Sequence, residues 1–132
     1  MRPGAATATM MSAAILVAPG CSAGQDKPAP ADPLRRTSYR SLAARDFLLG
    51  CPGAAARAET RREVERLAEL NRFALEKGAL ASLQLAANEW AGIAPHDTRA
   101  RCAPGEAAYR AALAGFSRSL DDLAAGIREY RR

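Results

Sequence analysis

The chain has 132 residues, room for one hydrophobic core and a tail, and its 48% hydrophobic and 25% charged composition excludes a disordered protein. Half of the hydrophobic residues are alanine: 32 Ala and 14 Leu stand against two Val and three Ile, a balance that favours helices and supplies too few β-branched positions for a sheet. The net charge of +5 comes mainly from Arg interleaved with Glu, so mixed-charge helix faces are expected and a nucleic-acid partner is not.

Residues 1–20 carry one positive charge, Arg2, and an uncharged run from Ala5 to Ala18 whose most apolar part is Ala13-Ala14-Ile15-Leu16-Val17. That run falls short of the ~20 apolar residues of a membrane span and suits the apolar region of a secretory signal. It ends in Ala18-Pro19-Gly20-Cys21, which resembles the lipobox of bacterial lipoproteins. The resemblance implies lipidation of Cys21, a membrane attachment through that anchor, and, with Ser22 rather than Asp behind it, the periplasmic side of the outer membrane. A signal-peptidase cut after Ala23, leaving an unanchored periplasmic protein, is the alternative reading. Residues 21–37, with Pro28, Pro30 and Pro33 among polar residues and no apolar period, are expected to be a tether. The folded domain is then 38–132.

Within that domain Thr37 or Ser38 is positioned to cap a first helix carrying Tyr39, Leu42, Phe47 and Leu49, closed by Gly50 and Pro52. Thr60-Arg61-Arg62-Glu63 reads as a capping box opening a second helix, with Val64, Leu67, Leu70 and Ala74 on its apolar face. Gly78 either ends this helix or sits inside a longer one; with no turn-forming residue beside it, a continuous or kinked helix is the preferred expectation. Leu80, Leu83, Ala87 and Trp90 form the next stripe, and Pro95 stops it. Tyr109, Leu113, Phe116, Leu120, Leu123, Ile127 and Tyr130 recur at spacings of three and four, the strongest helical signal in the chain. Together these elements predict an all-α fold, a small three- to four-helix antiparallel bundle with one disulfide. Alanine-rich faces are expected to let its helix axes approach closely.

Once Cys21 takes a lipid or leaves with the signal, Cys51 and Cys102 form an even pair, and in an oxidising compartment they are expected to be bridged. The single His96 and the lack of any Cys-x-x-Cys pair argue against zinc ligation, and no haem-attachment or glycine-rich phosphate motif is present. No cofactor, metal or catalytic residue is expected, and the chain is not read as an enzyme. The expected function is that of a lipid-anchored or periplasmic helical accessory protein with an unknown envelope partner. Leu83, Trp90, Tyr109, Phe116 and Tyr130 are the candidate docking face, although packing between sister helices explains the same stripe. The alternative is a carrier of a small apolar ligand or lipid, with Phe73, Trp90, Tyr109 and Phe116 lining a pocket.

Overall fold

A computed structural model describes residues 32–94 and 101–131. The expected signal segment, Cys21 and residues 22–31 of the expected tether lie outside them, as does His96. The described residues hold four α-helices and no strand: α1 (Pro33–Leu49), α2 (Ala58–Glu76), α3 (Leu80–Ile93) and α4 (Glu106–Arg128), with a 3₁₀ turn over Ala54–Ala56. The expectation of a small helical bundle with one disulfide is met with four helices.

Helix α1 begins at Pro33, five residues before the expected domain boundary. Proline suits the first helical position, because its fixed φ is helical and the missing N–H has no partner there in any case. The stretch 33–37, read as tether, is therefore the first turn of the bundle, and Leu34 within it is buried. Thr37 does not cap the helix; its hydroxyl donates back to the Pro33 carbonyl at 2.9 Å. The apolar face also differs from the expected one. Leu34, Leu42 and Leu48 point inward, whereas Phe47 and Leu49 are 42% and 41% exposed.

Helix α2 starts at Ala58, with Arg57 in the capping position and no side-chain cap, so Thr60 lies inside the first turn and the capping box does not form. Thr60 is instead buried, its hydroxyl 2.9 Å from the Tyr109 hydroxyl on α4. A buried hydroxyl needs a partner, and the inter-helix bond satisfies two of them at once.

Gly78 ends α2, contrary to the expectation of a continuous helix. Its φ is 75°, a left-handed conformation that glycine adopts without the Cβ penalty. The Gly78 N–H donates to the Leu75 carbonyl at 3.1 Å and the Ala79 N–H to the Ala74 carbonyl at 2.7 Å, the bonding pattern of a Schellman cap. Ala74 and Ala79, the apolar pair of that motif, are both fully buried. The turn is thus held by tertiary packing, and α3 follows at Leu80. On α3 the buried side chains are Ser82, Leu83, Ala86 and Trp90; Ala87 faces solvent.

The centre of the core is α4. Phe116, Leu120, Leu123 and Ile127 are fully buried and Tyr109 nearly so, with Ala112 filling the position between them. At ~1.5–3 kcal/mol for each large side chain removed from water, this one stripe is a main source of stability. Helix α1 packs most extensively against α4 and then α3, while α2 also touches both α4 and α3. Leu34 reaches Gly126 and Ser41 reaches Ser119, so α1 and α4 run antiparallel. The pairs Arg57–Glu106, Thr60–Tyr109 and Arg66–Asp121 climb together, so α2 and α4 run in the same direction. Antiparallel pairing therefore describes α1 with α4 but not α2 with α4.

Candidate functional site

Helices α3 and α4 both pack on α1, yet they do not pack along one another. The space left between them, over the C-terminal half of α1, is an open cleft of about 730 Å3. Ala43 and Ala44 of α1 form one wall, and Ala111, Ala112 and Gly115 of α4 form the other. Larger residues at these positions would fill the space; here small side chains keep it open. Trp90 and Phe116 line the interior, with Phe47 and Ala94 beside them.

The Cys51–Cys102 disulfide joins the end of α1 to the segment leading into α4, as the cysteine count predicts, and Cys102 lines the cleft. Both half-cystines are buried. Asp46 and Arg101 are the charged residues of the lining. Both oxygens of Asp46 are engaged: Arg45 Nε donates to Oδ1 at 2.9 Å and Trp90 Nε1 to Oδ2 at 2.6 Å. The Trp90 ring is further fixed by Tyr39, edge to face, with centroids 5.3 Å apart. Arg101 is exposed and has no acceptor among the described residues.

A second cluster of charge lies on the α2–α4 face. Arg57 and Arg110 both grip Glu106, at 2.7 Å each, and Arg110 also reaches Glu59 at 3.1 Å. The Arg57 guanidinium stacks over the Tyr109 ring, 3.9 Å from its centroid, covering the side chain whose hydroxyl meets Thr60. Hydrogen bonds from Arg57 and Arg110 hold the Glu106 carboxyl down at about 2. The Glu59 carboxyl is also lowered, first by a backbone hydrogen bond and then by Arg110. These carboxylates stay ionised near neutral pH and cannot serve there as proton donors.

The candidate docking residues fall as follows. Leu83, Trp90, Tyr109 and Phe116 are buried inside the bundle and Tyr130 is half-buried, so the stripe is core and does not offer a face to a partner helix. The reason is that α1 and α2 both pack on α4 and α1 also covers α3, which together consume the apolar faces. Trp90 and Phe116 form the buried floor of the cleft. The other two residues of the expected pocket do not join them. Tyr109 is turned to Thr60 on α2, and Phe73 packs partly buried against the core. Ala111 and Gly115, which form the cleft, were missed because small residues beside an apolar stripe look like spacers. The signal was the run Ala111, Ala112, Gly115 facing Ala43-Ala44, legible only once α1 and α4 are known to be antiparallel neighbours.

Among the described residues no helix is long and apolar enough to cross a membrane, and no group of three His, Cys, Asp or Glu side chains could hold a metal ion. Set against known protein families, curated proteins and solved structures, the chain finds no match.

Proposed function

We propose that the chain is an exported, non-catalytic helical accessory domain of the bacterial cell envelope, held on the periplasmic side of the outer membrane through acylated Cys21, where it serves an envelope protein partner. The observation that carries this reading is the buried Cys51–Cys102 disulfide, since such bonds persist in oxidising compartments. The N-terminal apolar run ending in Gly20-Cys21 supports the same compartment from the sequence side. The non-catalytic part rests on the sequence, which offers no recognisable nucleophile, haem-attachment or phosphate-binding motif.

The test is the intact mass of protein recovered from the membrane fraction, with and without reduction and alkylation. The expected species is a mature chain starting at acylated Cys21 in which two thiols react only after reduction. An uncleaved chain with three reactive thiols overturns export and anchoring together. A second reading, a carrier of a small apolar ligand, is favoured by the α3–α4 cleft, whose volume lies in the ~300–1,000 Å3 range of ligand sites.

A further inference from the structure

We propose that the cleft between α3 and α4 binds a single-chain amphiphile with an anionic head, of the medium-chain fatty-acid class. The tail lies along Ala43, Phe47 and Gly115, above Trp90, and the head meets Arg101. The proposal rests on the carrier reading and gives that reading a ligand class and a geometry.

Three observations carry it. The cleft is lined mainly by apolar side chains, its alanine and glycine walls come from α1 and α4, and α3, which supplies Trp90, is held away from α4 by its own packing on α1. The carboxylate that lines it, Asp46, has both oxygens engaged by Arg45 and Trp90, so it offers no bare anion to a cationic ligand. The charge that no described residue neutralises is Arg101, exposed in the same lining, and it complements a negative head. A tail excludes water from the exposed Phe47 ring and from the alanine and glycine walls, which supplies the affinity. The head gains an ion pair at the solvent edge, where neither charge has to be buried.

Trp90 is the chain's single tryptophan and lines the cleft, so its fluorescence reports occupancy without a label. The experiment titrates the full chain with decanoate, decanol and decylammonium, each kept below its micellar range, and follows Trp90 emission. Decanoate is expected to saturate at the lowest concentration, then decanol, then decylammonium. Arg101→Gln should weaken decanoate about three- to fivefold at low salt, the size of an exposed ion pair, and leave decanol unchanged. Gly115→Leu should abolish the response to all three. A Cβ at Gly115 meets only the flexible end of Arg118, at 4.0 Å, so this variant is expected to fold, which far-UV circular dichroism and the melting temperature check.

Equal responses to decanoate and decanol that Arg101→Gln does not separate overturn the anionic head and leave the carrier reading standing. No saturable response to any of the three overturns both. Phosphatidylglycerol vesicles are the second arm, because the same chemistry is present in a bilayer. A Trp90 response to free decanoate and none to vesicles supports a monomeric ligand; the reverse overturns it.

Discussion

Replacing both Cys51 and Cys102 with Ala removes the covalent link between the end of α1 and the segment before α4, and with it the closed loop that contains α2 and α3. The two cysteines are 51 residues apart in sequence. On the chain-entropy account, opening a loop of that length frees the unfolded state by about 14 cal/mol/K, or about 4 kcal/mol at 25 °C. The unit Pro33–Arg132 is about 100 residues long, and at about 2.1 cal/mol/K of unfolding entropy per residue the loss lowers the melting temperature by about 20 °C. Alanine keeps most of the packing at these two buried positions, so the loop term dominates. Thermal and guanidinium unfolding of the double variant, compared with the oxidised chain and with the same chain under reductant, give the number directly. A loss below about 1 kcal/mol in both arms would falsify the reasoning, since it would mean that the unfolded chain already holds its ends together or that the folded bundle does not need them held.

Three further outcomes follow from named contacts. Tyr109→Phe leaves the buried Thr60 hydroxyl without a partner and should cost about 1–2 kcal/mol, whereas adding Thr60→Val should recover part of it; additive losses in a double-mutant cycle refute the bond's role. Gly78→Ala, at a φ of 75°, should destabilise by about 1–2 kcal/mol. Gly115→Ala, inside α4 with open space at its Cβ, should stabilise by about 0.5–1 kcal/mol, so equal signs in urea unfolding defeat the distinction. Because Glu106 has its carboxyl lowered from 4.5 to about 2 in the folded chain, its contribution is present above the unfolded value and is lost as pH falls through that window. Stability should drop between about pH 4.5 and 2, and Glu106→Gln should flatten that limb of the unfolding profile, an effect that high salt reduces because the pairs are exposed.

Much of the fold is legible in the order of residues alone. The α4 stripe is strictly local: Tyr109, Phe116, Leu120, Leu123 and Ile127 fall on one side of any helix, and all five are buried. The disulfide follows from counting once Cys21 is set aside, because two cysteines allow one pairing. Helix ends were harder to read, since each has two local solutions of similar energy. Thr60-x-x-Glu63 satisfies the first amides as a cap or continues as helix, and the Tyr109 hydroxyl across the bundle decides for the second. Gly78 is tolerated in a helix at ~1 kcal/mol or ends it, and burial of Ala74 against Ala79 decides for the end.

What the sequence by itself determined is helical content and the main core stripe, both set by spacing along one chain segment, and the cysteine pairing, set by count. Which faces became core and which became cleft was decided only by tertiary structure. Ala43, Ala44, Ala111 and Gly115 carry no apolar bulk to place them, and their role depends on α1 and α4 meeting antiparallel while α3 stands apart. The direction of α2 beside α4, and the inward turn of Trp90 onto Asp46 and Tyr39, likewise come from contacts between residues more than forty positions apart. Helical periodicity says which residues share a face, but the neighbour that covers the face is fixed by the packing of the whole bundle.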